Sequence, residues 1–190
     1  MTTRLFIREV LPLAPARSPQ QVGAQRGAAR EALRECARKC GAPIKGWVKN
    51  AADVPLSNDG WFWSIAHKRR YAVAAISDRP VGVDIEELAA RPRRLHGLIA
   101  SEEEWRILGD NSWHSFFRLF TAKEAVLKKH GCGIGRLLEC RVAGIDDAGR
   151  MVLAFSNHDH VVIHRECDKH IIAVSGGDTN VRWMLPDAEP

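Results

Sequence analysis

Three carboxylates and one lysine in this 190-residue chain have types and spacing that could do chemistry. Asp84 and Glu86 are separated by one residue in the run Val81-Gly82-Val83-Asp84-Ile85-Glu86. If that run is a strand, period-two alternation sets both carboxylates on one face and Val83 and Ile85 on the other. Two like charges side by side repel, so such a pair either faces water or shares a cation. Glu124 interrupts an apolar stripe of Trp113, Phe116, Phe117, Phe120 and Leu127 at helical spacing. A carboxylate there is costly unless a cation or donor compensates it. Lys128, one turn on, can do so as an internal i,i+4 ion pair; the alternative is that Glu124 completes a three-carboxylate site with Asp84 and Glu86. Hard carboxylate oxygens suit Mg²⁺ or Mn²⁺, and Mg²⁺ commonly bridges substrate phosphates. Lys128, His67 and an arginine-rich segment supply positive groups for such phosphates. The residues alone thus point to a Mg²⁺-dependent enzyme acting on a phosphate ester or anhydride.

The elements that must position these groups follow from local pattern. Residues 1–17 read as a short strand followed by a turn-rich link containing Pro12 and Pro15. Ser18 and Pro19 mark the start, and Gly41 the stop, of a helix with Ala29, Leu33, Cys36 and Cys40 along one face. Arg26, Arg30, Arg34 and Arg38 step along a neighbouring face. After a loop from Pro43 to Gly60, residues 61–66 and 71–76 read as strands joined by His67-Lys68-Arg69-Arg70, and 81–86 as a third. Ser101 followed by Glu102, Glu103 and Glu104 resembles a capped acidic helix start. A helix spans about 112–130, ended by Gly131 and Gly133, and strands follow to about Ser175. The strand ending Ala74-Ala75-Ile76-Ser77 has a faint echo in Ile171-Ile172-Ala173-Val174-Ser175. That echo predicts two pseudo-symmetric α+β halves, 1–80 and 81–190, with the active site between them.

Composition and charge narrow the partners. Hydrophobic residues make up 45% and charged residues 27%, a globular balance that excludes disorder. The apolar runs are too short to span a bilayer. Arg8 and Glu9 fall where a secretory leader would still be apolar, so a soluble cytoplasmic protein is expected. The net charge of +5 is uneven: residues 1–50 hold ten Lys/Arg against three Asp/Glu, leaving the remainder slightly acidic. An anionic partner near the first fifty residues is one reading, and a solvated basic helix the other. The five cysteines include no CxxC pair and read as reduced thiols, with Cys36 and Cys40 as small core residues. His158, His160, His164 and His170 lack partners at structural-zinc spacing.

Two segments resemble the signatures of the 4′-phosphopantetheinyl transferase family: Val81 to Glu86, and Phe120-Thr121-Ala122-Lys123-Glu124-Ala125-Val126-Leu127-Lys128. Ser64-Ile65-Ala66-His67 lies where that family carries its histidine motif, and Gly131-Cys132-Gly133-Ile134 matches the glycine-rich turn closing the second signature. The length and doubled layout resemble the surfactin-synthetase-activating (Sfp-like) type. The resemblance implies that coenzyme A donates 4′-phosphopantetheine to a serine of an apo acyl, peptidyl or polyketide carrier protein, releasing 3′,5′-ADP. It implies metal ligation by Asp84, Glu86 and Glu124, with Glu124 also the candidate base. Lys128 would contact the phosphate, His67 the coenzyme A phosphate, and Arg26 and Arg30 the 3′-phosphate. A monomer is the expected assembly, with neither nucleic acid nor membrane as partner. The chain departs from the family in having Ala66 before the histidine and Asp53-Val54-Pro55 in place of an upstream Gly-Lys-Pro, with Lys45 or Lys49 as substitutes. Two rival readings are a metal-dependent nuclease or phosphoesterase using the same carboxylates, and a non-catalytic basic module gripping nucleic acid.

Overall fold

The computed structural model describes residues 3–9, 18–176 and 180–184, so the turn-rich link around Pro12 and Pro15 lies outside the described residues. Strand β1 (Thr3–Glu9) precedes helix α1 (Pro19–Cys40). The Ser18 side chain accepts the Gln21 N–H at 3.2 Å, Pro19 occupies the first turn, and Gly41 closes the helix at φ 71°. Strands β2 (Phe62–Lys68) and β3 (Tyr71–Ser77) form a hairpin whose turn is only Arg69-Arg70. Two turn residues suffice because Arg69 takes a left-handed conformation at φ 41°. His67 and Lys68, read from sequence as linker, therefore belong to the strand.

Strand β4 (Gly82–Glu87) opens the second part. A 3-10 turn at Arg93–Leu95 leads into α2 (His96–Ile99), then α3 (Glu102–Leu108) and α4 (Trp113–Lys129). Ser101 and Glu104 form the reciprocal capping box foreseen at α3. Strands β5 (Arg141–Ile145), β6 (Met151–Phe155), β7 (His158–Cys167) and β8 (His170–Ser175) complete a sheet, and β9 (Val181–Met184) follows.

One sheet has the order β2-β3-β1-β9 and the other β4-β8-β7-β6-β5. The faint sequence echo is a topological repeat: β1-α1-β2-β3 gives strand order β2-β3-β1, and β4-α4-β7-β8 gives β7-β8-β4, antiparallel throughout. The second sheet is extended by β6 and β5, the first by β9, which pairs parallel with β1. Alternation sorts the side chains into layers. Leu5, Ile7, Val73, Ala75, Val83, Ile85, Ile172 and Val174 pack between the two sheets. Phe6, Ala74 and Ile76 face α1, while Ile171 and Ala173 face α4. The result is an α+β stack of helix, sheet, sheet and helix. No helix among the described residues is long and apolar enough to cross a membrane.

Candidate active site

Because Val83 and Ile85 point into the layer between the sheets, Asp84 and Glu86 point to the other face of β4, where α4 lies. Gly82 makes the approach close. A Cβ there would lie 1.9 Å from the Ala125 carbonyl oxygen and 2.6 Å from the Lys129 nitrogen, so only glycine lets the α4 backbone rest on this strand. The contact lines up Glu124 and Lys128 of α4 with β4.

The Lys128 ammonium meets Asp84 Oδ1 at 2.6 Å and also donates to the Val83 carbonyl at 3.3 Å. β4 is an edge strand, and its unpaired backbone is satisfied by side chains: the Val83 N–H donates to Ser64 Oγ of β2 at 3.1 Å. That bond ties the two sheets together at the site. Lys68 Nζ lies 2.5 Å from Glu86 Oε2, and Arg69 pairs with Glu87, so the β2–β3 hairpin is electrostatically fastened to β4.

Glu124 is half-buried, and among the described residues its carboxylate engages no hydrogen bond or ion pair. Burial, and then the Asp84 charge, push its carboxyl above the usual carboxylate range, with Lys128 opposing. Burial likewise raises Glu86 despite Lys68. Asp84 Oδ2 is buried without a hydrogen-bond partner. Among the described residues no three His, Cys, Asp or Glu side chains form a ready-made metal cluster; Asp84 and Glu86 are each met by an ammonium instead.

His67 projects from β2 on the α1 side. Burial lowers its imidazole, and the positive charges of Lys128, Arg26 and Lys49 lower it further, which brings those four basic groups into one neighbourhood. Lys49 is paired with Asp53 at 2.8 Å. Arg30 lies one turn along the exposed face of α1, with no hydrogen bond or ion pair to the others. The glycine turn after α4 has Gly131 at φ 65°, and Val54 crowds it so closely that a Cβ would lie 2.8 Å from Val54 Cγ1. The loop carrying Lys49 thus leans on the turn after Lys128.

One residue of consequence escaped the sequence reading. Lys123, beside Glu124, is fully buried; its ammonium lies 2.7 Å from Glu104 Oε1 and donates to the Ile99 carbonyl at 2.6 Å. Glu104 also accepts the Ser101 and Val142 N–H groups at 2.9 and 3.0 Å. Burial would raise the Glu104 carboxyl, but these bonds hold it below the usual range. The network pins α4 to α2, α3 and β5 one residue from Glu124.

The model of the 4′-phosphopantetheinyl transferase superfamily matches residues 80–175, and the chain belongs to that superfamily. Its doubled layout and its relatives are those of the Sfp-like type. It is 29% identical over 114 residues to the 4′-phosphopantetheinyl transferase psf-1 of Bacillus pumilus, covering 58% of this chain and 49% of the relative. It is 31% identical over 90 residues to the 4′-phosphopantetheinyl transferase gsp of Aneurinibacillus migulanus, covering 45% of this chain and 38% of the relative. The aligned regions thus span half or less of the length of these curated relatives.

Proposed function

We propose that the protein transfers 4′-phosphopantetheine from coenzyme A to a serine of an apo acyl, peptidyl or polyketide carrier protein, releasing 3′,5′-ADP. The observation that carries this reading is the meeting of Asp84, Glu86, Glu124 and Lys128 across the β4–α4 contact, beside a basic neighbourhood of His67, Arg26 and Lys49. The donor set fits a hard divalent ion. Three carboxylates supply oxygens, and the buried Asp84 Oδ2 is left without a protein partner. Asp84, Glu86 and Glu124 would hold Mg²⁺, with Mn²⁺ as a substitute, which when bound neutralises the pyrophosphate. His67, Arg26 and Arg30 would bind the remaining phosphates and orient the donor. Glu124 accepts the proton of the attacking serine hydroxyl, directly or through one water. Its upward shift moves it toward neutrality, the direction that suits a general base. As the serine oxygen bonds to phosphorus and the bond to 3′,5′-ADP breaks, Lys128 steadies the charge on the leaving phosphate.

A division near residue 80 would give one half rich in cations and one carrying the carboxylates, with β9 returning from the second to the first sheet. Both proposed partners are anionic, which suits that arrangement in a cytoplasmic monomer. Release of 3′,5′-ADP from coenzyme A, followed with and without Mg²⁺ and an apo carrier protein, tests the reading. Product is expected only when all are present. Hydrolysis of simple phosphodiesters with coenzyme A inert would support the phosphoesterase alternative instead.

A further inference from the structure

Two of the three carboxylates at the β4–α4 contact each hold an ammonium, and the two lysines are fixed differently. Lys128 Nζ, 2.6 Å from Asp84 Oδ1, also donates to the Val83 carbonyl at 3.3 Å. Lys68 Nζ, 2.5 Å from Glu86 Oε2, makes no second hydrogen bond or ion pair among the described residues. It stands at the end of β2 on a long flexible stem, about one-third exposed. On the reading that Asp84, Glu86 and Glu124 hold a divalent ion, we propose that Lys68 is a displaceable counter-cation. It competes with that ion for Glu86 and so sets how tightly the site loads.

The charges favour an exchange at Lys68. Asp84, Glu86 and Glu124, when ionised, carry three negative charges, and with both lysines in place only one is left uncompensated. Withdrawing Lys68 alone leaves two, the charge that a divalent ion balances. Lys128 stays, anchored to the backbone of β4. Hard ions such as Mg²⁺ and Mn²⁺ take carboxylate oxygens, so ion and ammonium are rivals for the same Glu86 carboxylate.

The fold tolerates the exchange. A part-exposed ion pair contributes little, because water competes for both of its groups, so Lys68 leaves at small cost. The hairpin does not depend on it: Arg69 still pairs with Glu87, and Ser64 Oγ still accepts the Val83 N–H. Burial raises the Glu86 carboxyl and Lys68 opposes that rise, so the same ammonium keeps Glu86 charged until the ion replaces it.

The test is a Mn²⁺ titration followed by electron paramagnetic resonance of the free ion, in mildly alkaline buffer and without coenzyme A. Lys68→Met should bind Mn²⁺ about tenfold more tightly than the parent, since it loses both a rival and a repelling charge. Lys68→Arg should return to the parent affinity. Arg69→Met removes the neighbouring cation and its hairpin pair but leaves Lys68 on Glu86, and it should stay within about threefold of the parent, because exposed charges further off are screened. Asp84→Asn added to Lys68→Met should abolish the tight site. In the parent, saturating Mg²⁺ should speed trace acetylation of Lys68, read by mass spectrometry against Lys45. Equal Mn²⁺ affinity in the parent and Lys68→Met, an equal gain in Arg69→Met, or acetylation of Lys68 indifferent to Mg²⁺ would each overturn the proposal and leave the carboxylate site standing. A tight site that survives Asp84→Asn, or no Mn²⁺ bound by either protein, would overturn the metal reading itself.

Discussion

At the scale of single residues, Glu124 is the side chain on which function and stability pull apart. A carboxylate in an apolar stripe is visible in sequence as a misfit, but what compensates it is not, because helical periodicity says nothing about the facing strand. The i,i+4 partner, Lys128, goes to Asp84 instead, and Glu124 is left with burial and two like charges nearby. Replacing it by glutamine removes a charge that the fold disfavours. Glu124→Gln should therefore melt at or above the wild-type temperature by calorimetry while losing about 10²–10⁴-fold in transfer rate. A large fall in melting temperature would restore the ion-pair reading. His164 carries a second residue-scale prediction. Its Nε2 lies 2.9 Å from the Arg118 carbonyl, and burial pushes its imidazole down to about 4. The unfolded chain takes up this proton at higher pH than the native one, so stability should fall as pH drops from about 6.5 toward 4. In urea titrations across that window, His164→Asn should remove on the order of 2 kcal/mol of the loss. An unchanged slope would contradict this assignment.

Elements, rather than residues, decide whether the site assembles. Alternation along β4 was enough to place Asp84 and Glu86 on one face, and cap chemistry located α1, α4 and the start of α3 within a residue or two. What remained hidden was the contact between β4 and α4, which depends on Gly82 having no Cβ. A methyl group there would strike the α4 backbone. Gly82→Ala should cost about 1–3 kcal/mol by denaturant titration, and it should depress transfer in the fraction that remains folded. Wild-type stability and rate would mean the helix does not rest on this strand. The buried Lys123–Glu104 pair was equally hidden, since its partners lie 19 residues apart and meet only through tertiary packing. Removing one partner leaves a lone buried charge. Lys123→Met should lose about 3–5 kcal/mol, and Lys123→Met with Glu104→Leu should recover most of it. Equal losses in the single and double variants would show that the two do not act as a pair.

The whole molecule is a repeated βαββ unit folded face to face, with the candidate site where the edge strands β2 and β4 meet. Sequence carried only a trace of that repeat, in the apolar centres of β3 and β8, because buried strands tolerate many combinations of Ala, Val and Ile. It also stopped the strands near Ser175. The return of β9 to the first sheet, a parallel pairing across nearly the full chain length, has no local signature. The uneven charge was legible from the start, and in the fold Arg26 and Lys49 act on His67 together with Lys128, the lysine that pairs with Asp84. The claim that joins these scales is that Asp84, Glu86 and Glu124 serve one transfer to a carrier serine. The most direct measurement is the intact mass of an apo carrier protein after incubation with coenzyme A, Mg²⁺ and this protein. A gain of one phosphopantetheine on the carrier serine, absent with Glu124→Gln and with a Ser→Ala carrier, is the predicted result. Unmodified carriers across acyl, peptidyl and polyketide types, from a folded protein that binds coenzyme A, would contradict it.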